Sequence, residues 1–288
     1  MRSVSIIWGV IAMAVGLQAH GYEGPFHQKF TFLAAKQFNR CVTGTPIRKV
    51  TPLQVRYIAK SNIGQANTNI FVRMFNWSYY DRAAQDERSV LWLIDTRFHK
   101  HFNEVVLGLD QVGHAADGYR SLGRVVNYVQ DVTSPARAVP VYTARFWRFN
   151  LADRFDSFPV DEEAVEEGLL DSCEYLHSTS DSYLQILADA ASNTLAAVQA
   201  PMPGMPVSWE SFWTLSDDER GFGEYGPAGN NFGRKSEFRC GAEERCVLLD
   251  DDPLYKEFAL RRHIAAAIAT MRAMKLFQSQ GLPIVADE

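Results

Sequence analysis

The sequence predicts an all-α protein, a single multi-helix domain with one irregular insert. Apolar residues recur three and four positions apart over most of the chain, as in HQKFTFLAAKQFNR, where Phe30, Leu33 and Phe38 share one helical face. A helix start is indicated in TPLQVRYIAK, because Thr51 can cap a helix whose first residue is Pro52. The alternating pattern of half-buried strands is nearly absent.

Further helical patterns continue to the C-terminus, so we expect one domain over residues 20–288. They cover residues 86–109, 115–134, 160–177, 181–199 and 253–279. Of the 288 residues, 47% are hydrophobic, which is sufficient for a sizeable core. No internal repeat and no low-complexity linker divides the chain.

Residues 201–250 interrupt the helical pattern. The segments PMPGMPVSWESFW and GFGEYGPAGNNFG are rich in glycine, proline and aromatic residues, but their glycines lack the spacing of a phosphate-binding loop. A long irregular segment in a helical domain is often a lid or a binding loop. The competing interpretation is that this insert only packs over the helices.

The first 19 residues are typical of a secretory signal peptide. An early Arg2 precedes an apolar run from Val4 to Leu17, and the small Ala19 offers a cleavage site. The run is shorter than the ~20 residues that a bilayer span needs, and no later segment is apolar enough to span. We therefore expect a secreted or periplasmic protein without a transmembrane segment.

The four cysteines fit an exported protein, since their number is even and no CxxC pair indicates a zinc ribbon. The segment CGAEERC could close a small disulfide loop between Cys240 and Cys246. That pairing would leave Cys41 to bond with Cys173.

Charge is unevenly distributed, although the net charge of -5 is too small to support nucleic-acid binding. Residues 24–80 contain basic residues but no Asp or Glu, whereas residues 153–174 are rich in acidic residues. We expect the two segments to attract each other as solvated faces. A basic surface for anionic lipid headgroups is the alternative.

Common hydrolase signatures are missing, since the chain has no GxSxG, HExxH or GxxxxGK[ST] motif. Cleavage after Ala19 would create a chain that begins at His20, whose α-amino group and imidazole could chelate a metal together with His27. The other histidines are assigned no role: His99 and His101 are expected at the surface on different helical faces, and His114 should precede a helix.

Two segments, HGYEGPFHQKFTFLAA and SLGRVVNYVQDVTSPARA, resemble the zinc-dependent phospholipase C and P1 nuclease family. The resemblance implies a secreted all-α phosphoesterase fold with three zinc ions in a cleft. The family helix reads LG-x-x-x-H-Y-x-x-D-x-x-x-P-x-H-A. This sequence follows that pattern at Leu122, Gly123, Tyr128, Asp131, Pro135 and Ala138.

The implied zinc ligands are largely replaced. Asn127 and Arg137 stand where the family pattern has histidine, and Trp77 or Ser78 stands at a third histidine position. Other substitutions follow the same trend: Asn67 or Asn69 replaces an upstream aspartate, and of a His and Glu pair near LADRFDSF only Asp156 is similar, the histidine position falling within 151–153. Arginine cannot ligate a metal, and a neutral amide is a poor zinc donor.

One ligand set implied by the resemblance survives, namely His20, His27 and Asp131. The sequence therefore leaves two metal hypotheses open. Either these residues hold one zinc or another divalent metal, or the pocket is metal-free and Asp131 is held by Arg137.

Two functions follow from this degenerate site. The first is a pseudoenzyme, non-catalytic or weakly catalytic, which binds a phosphoester, a phospholipid headgroup or a protein, with Arg137 as an anion contact. The alternative is a phosphoester hydrolase with one metal, in which Asp131 and Arg137 are the catalytic candidates. A structural partner of other envelope proteins would instead show a large apolar patch around the insert.

Overall fold

The computed structural model shows a mostly helical chain. It describes residues 22–66, 79–80, 82, 89–90, 94–95, 97–110, 114–141, 153–177, 182–218 and 221–280. The predicted signal peptide and His20 lie outside these residues. The α-helices of the described part are α1 (Gly24–Cys41), α2 (Pro52–Ala66), α3 (Phe98–Asp110), α4 (Ala115–Asp131), α5 (Pro135–Ala138), α6 (Glu162–Gly168), α7 (Tyr183–Gln199) and α8 (Pro253–Ser279).

Short strands accompany the helices in the described residues, so the class is mostly helical and not purely α. They form three two-stranded antiparallel sheets: β1 (Ser89–Val90) with β2 (Ile94–Asp95), β3 (Trp213–Thr214) with β4 (Glu224–Tyr225), and β5 (Ser236–Arg239) with β6 (Arg245–Leu248). Three short 3-10 segments, Phe155–Ser157, Ser172–Leu176 and Trp209–Ser211, complete the described elements.

Two predicted helices are wrong in extent. The pattern over 86–109 contains β1 and β2, and only its second half is the helix α3. The run VLWLI is continuously apolar, and such a run does not distinguish a strand from a helix. The pattern over 160–177 divides into α6 and a 3-10 segment.

Helix α4 lies at the centre of the described fold. It packs against α2, α3, α7 and α8, while α1 packs against α2, α6 and α8. A Cβ added at Gly123 would lie 2.3 Å from the backbone oxygen of Ile58, so the missing side chain allows α2 and α4 to approach closely. Since every residue from 125 to 141 is buried, the end of α4 and the following turn form part of the core.

Both predicted disulfides are confirmed, Cys41–Cys173 and Cys240–Cys246. The first joins the end of α1 to the 3-10 segment Ser172–Leu176, and the second joins β5 to β6. In the described residues no helix is both long and apolar enough to cross a membrane.

The attraction between the basic and acidic segments is also confirmed. Lys29 forms an ion pair with Glu162 at 2.9 Å. Glu166 forms ion pairs with Lys36 at 2.6 Å and with Arg40 at 3.1 Å. These pairs join α1 to α6. They lie at the surface, where screening by solvent keeps the contribution of each pair small.

The insert packs over the helices and supplies much of the aromatic core. Trp209, Phe212, Trp213 and Phe232 are buried, and Trp209 lies against Phe258 of α8 with ring centroids 4.3 Å apart. Each such ring contributes a large apolar area. The insert is therefore an integral layer of the domain.

His263 of α8 occupies this aromatic core and makes the protein sensitive to acid. Its ring lies 5.2 Å from Phe30 and 5.7 Å from Tyr22, and its Nε2 has no hydrogen-bond partner. Burial, with a smaller effect of the Arg262 charge, lowers the pKa of His263 from 6.5 to about 3. The unfolded chain therefore binds a proton at a pH where the folded chain does not.

We expect this residue to cost about 2–3 kcal/mol of unfolding free energy as the pH falls from 6.5 to 4.5. The sign follows from the lowered pKa, since stability is full above pH 6.5 and is lost towards the folded value. Urea titrations at several pH values should show a shallower acid loss in His263→Phe than in wild type. The matched variant His101→Phe should keep the wild-type slope, and equal slopes in all three proteins would refute the expectation.

Candidate functional site

The candidate site lies where α4 ends. Ser134 precedes Pro135, which disfavours helical backbone at the preceding residue, so the chain leaves α4 and restarts as α5. This break places Gln130, Asp131 and Arg137 on one short stretch. The first turn of α1 brings His27 to them.

Gln130 is the centre of a buried amide network that connects four helices. Its Nε2 donates to Thr270 Oγ1 at 2.9 Å and to Thr31 Oγ1 at 3.4 Å. Its Oε1 accepts from Asn62 Nδ2 at 2.8 Å. Both threonine hydroxyls donate to backbone oxygens of their own helices and so act as acceptors here, which fixes the orientation of the Gln130 amide.

The orientation of Gln130 determines the tautomer of His27. His27 Nδ1 lies 2.7 Å from Gln130 Oε1, and because an amide oxygen can only accept, Nδ1 carries a proton. In the neutral ring Nε2 then presents a lone pair, whereas a protonated ring would form an ion pair with Asp131, whose Oδ1 lies 3.2 Å from Nε2. Among the described residues this buried Oδ1 has no other hydrogen-bond partner.

The separation of His27 Nε2 and Asp131 Oδ1 suits two ligands of one metal ion. Ligands at about 2.0–2.2 Å from a tetrahedral zinc lie about 3.4 Å from each other. A histidine ligand also commonly donates its second ring proton to an oxygen acceptor, as His27 does to Gln130. Two donors are fewer than zinc needs, so a metal would require a third, the role that the sequence analysis gives to His20.

Asn127 does not belong to this donor pair. Its Nδ2 donates to Asn62 Oδ1 at 3.1 Å and points at His27 Nε2 from 3.4 Å. The NH2 group of an amide has no lone pair for a metal, so Asn127 in this orientation cannot be a zinc ligand. The residues around Asn127 therefore do not fit a second zinc.

A second cluster, Asp153, Asp156 and Arg137, is buried beside the first. Asp153 accepts three hydrogen bonds, from Phe155 N at 2.8 Å, Trp213 Nε1 at 2.8 Å and Tyr225 OH at 2.9 Å. Asp156 accepts one from Ser134 Oγ at 2.5 Å. Burial raises the pKa of both carboxyl groups and the charge of Arg137 offsets part of that rise, so Arg137 acts as their common counter-ion.

Burial opposes ionisation throughout this cluster. Desolvation, followed by the neighbouring Asp153 charge, raises the pKa of Asp156 well above its ordinary value. Desolvation also raises the pKa of Asp153, in spite of its three hydrogen bonds. The phenol of Tyr225 has its pKa raised by burial and by Asp153, so it remains a hydrogen-bond donor.

The structure brings together most of the predicted site residues that it describes. His27, Asn127 and Asp131 are in contact, and Arg137 acts on Asp156 as expected. His20, Asn67, Asn69, Trp77 and Ser78 lie outside the described residues. Among the described residues no group of three or more His, Cys, Asp or Glu is arranged to hold a metal.

Several site residues were missed by the sequence analysis. Asn62, which lies beside Asn127, was not identified, and Asp153 proves as buried as Asp156. Trp213 and Tyr225 come from the insert, so part of the insert reaches the site. Asp153 lies two residues before Phe155, and nothing in this local sequence indicated that its carboxyl group would be buried.

The expectation that His99 lies at the surface is wrong. Its side chain is buried, with its ring 5.0 Å from Tyr80 and 5.7 Å from Phe98. His101 is more open and its Nδ1 lies 3.4 Å from Glu104. His114 precedes α4, as expected.

No protein-family model, curated protein or solved structure matches this chain. The family resemblance therefore depends on the quoted residues alone, and the function must be argued from the site itself.

Proposed function

We propose that this chain is an exported, non-catalytic relative of the zinc-dependent phospholipase C and P1 nuclease family, which binds an anionic phosphoester. The proposal is carried by one observation, that the polar groups at the degenerate zinc positions satisfy one another. Asn127 bonds to Asn62, and Arg137 balances Asp153 and Asp156.

Arg137 takes the electrostatic role of a metal in this proposal. It is only 8% exposed and its charge acts on the two buried carboxyl groups of Asp153 and Asp156, so its first function is to neutralise them. Because its guanidinium cannot lose its proton or ligate, no metal-activated water is expected beside it. The phosphoester would thus bind next to the cluster of Asp153, Asp156 and Arg137, which would hold no metal.

A second candidate function is a phosphoester hydrolase with a single metal. The unpartnered Asp131 Oδ1, 3.2 Å from His27 Nε2, favours it. When bound, the metal would supply Lewis acidity, and His20 would be its third ligand. His27 is already oriented by Gln130 for that role.

Metal analysis of the mature protein separates the two candidates. We expect less than about 0.1 zinc per chain beginning at His20, no EDTA-sensitive hydrolysis of bis(p-nitrophenyl) phosphate, and glycerophosphocholine binding that EDTA leaves unchanged. About one zinc per chain, lost in Asp131→Asn but retained in Asp153→Asn, would refute the non-catalytic binder and support the single-metal hydrolase. Failure to bind glycerophosphocholine would remove the phosphoester from the first proposal.

The envelope-partner hypothesis predicts an apolar patch around the insert. In its described residues the exposed large apolar side chains are Phe222, Val247 and Leu249. Val247 and Leu249 lie at β6, whereas Phe222 contacts Tyr79 with ring centroids 5.6 Å apart. No observation extends these residues into a larger patch, so this hypothesis stays a prediction.

A further inference from the structure

Arg262 on α8 is a buried cation without a carboxylate partner in the described part of the chain. The residue is 5% exposed, and its Nε has no hydrogen-bond partner. Its Nη1 reaches Thr194 Oγ1 only at 3.5 Å. Every other buried charge described above has a compensating group within its cluster, and an uncompensated buried charge is costly.

Arg262 lines a small pocket between α7 and α8. Besides Arg262, the pocket is lined mainly by apolar side chains, and its volume is about 110 Å³. The apolar walls include Trp209, Phe258 and Leu254. None of the lining residues belongs to the His27 or Arg137 clusters.

The charge around the pocket favours an anion. Arg261 and Glu257 also line it, but these two side chains pair with each other at the surface, which leaves the charge of Arg262 in excess. Burial lowers the pKa of Arg262 from 12.5 to about 10, so the side chain remains cationic at neutral pH.

The end of α7 offers a competing explanation. Ala197 and Ala200 line the pocket near the C-terminus of α7, where the helix dipole favours a cation. The orphaned Nε shows that this end does not saturate the guanidinium. The planar fork of an arginine is suited to two parallel bonds with an oxyanion.

We propose that the Arg262 pocket binds the oxyanion end, carboxylate or phosphate, of a small ligand with a short apolar body. The guanidinium pairs with the oxyanion, and Trp209, Phe258 and Leu254 enclose the apolar part. The volume is below the ~150 Å³ of a cavity that holds benzene, so only a few carbon atoms fit inside. This site is independent of the proposed function.

Thermal unfolding with four probes tests the pocket and identifies the head group and body. Acetate, butanoate, inorganic phosphate and propyl phosphate are compared with sodium chloride at equal ionic strength. We expect the preferred anion to raise the wild-type Tm by about 3 °C at ten times its Kd, and the compound with the alkyl chain to act at lower concentration than its analogue without it. A phosphate preference or a carboxylate preference specifies the head group.

Variants of Arg262 and of its neighbour decide whether the response arises in this pocket. Arg262→Met should lose the shift, Arg262→Lys should keep a weaker one, and Arg261→Met, at the pocket mouth, should keep most of it. Arg262→Lys retains the charge if the methionine variant does not fold. Absence of any wild-type shift beyond that of chloride, or a full shift in a folded Arg262→Met protein, would overturn the proposal.

Discussion

Arg137→Met is expected to lower the free energy of unfolding by about 3–5 kcal/mol at pH 7, because it leaves buried carboxyl groups without their counter-ion. Burial raises the pKa of Asp153 and Asp156, which are 2% and 3% exposed, and the charge of Arg137 offsets part of that rise. Methionine keeps much of the side-chain volume, so the loss reports charge more than packing. Urea unfolding at pH 7 measures it.

The pH dependence of this loss distinguishes charge from packing. The pKa of both acids is raised by burial, so they accept protons readily as the pH falls, and the deficit of Arg137→Met should shrink towards pH 4. Adding Asp156→Asn to Arg137→Met should recover part of the loss at pH 7. The neighbouring exposed residue gives a control, since Arg154→Met should change stability by less than about 0.5 kcal/mol.

A deficit that is constant from pH 4 to pH 7 would contradict the counter-ion role of Arg137. The proposal that the cluster of Asp153, Asp156 and Arg137 holds no metal would then lose its main support. A pH-dependent deficit would show that an internal cation balances the acids at the positions where the resemblance implies zinc.

Replacing both Cys41 and Cys173 by serine is expected to lower the free energy of unfolding by about 5 kcal/mol. The bond links residues 132 apart, and a cross-link over so long a loop strongly restricts the unfolded chain. It also holds the end of α1 against the segment that follows α6, beside the amide of Gln37. Chemical denaturation of the oxidised wild type and the double variant measures the difference.

The second disulfide supplies a matched comparison within the same chain. Cys240 and Cys246 are only 6 residues apart, so their replacement by serine should cost about 2 kcal/mol on the same loop-entropy argument. Equal losses for the two double variants would show that loop length does not govern the stabilisation. Reduction of the Cys41–Cys173 bond in the wild type should likewise cost more unfolding free energy than reduction of the Cys240–Cys246 bond.

Local sequence signals predicted most of the helices well. Where apolar spacing coincided with a cap, as at Asp252 and Pro253 before α8 or at Thr51 before α2, the element formed near its predicted position. The same reasoning was wrong for 86–109, where a continuous apolar run carries no period. Disulfide pairing also followed from the spacing of the cysteines, because one close pair left a single alternative.

The candidate site could be predicted only in part. His27 and Asp131 were selected through the resemblance, and they lie 3.2 Å apart across 104 residues of sequence. The partners that orient them, Gln130 and Asn62, have ordinary polar side chains on helices and were not identified. Arg262 was also missed, since an arginine on an amphipathic helix is usually solvated.

The sequence by itself determined the helical class, the disulfide pairs and the attraction between its basic and acidic segments, since these follow from local periodicity, spacing and charge. Only the tertiary structure decided which buried polar groups face one another. That choice depends on helix packing, as in the close approach of α2 and α4 at Gly123, which brings Asn62 and Asn127 within hydrogen-bond distance. Burial then lowers the pKa of His263 and raises the pKa of Asp153 and Asp156, because desolvation acts through the whole surrounding fold.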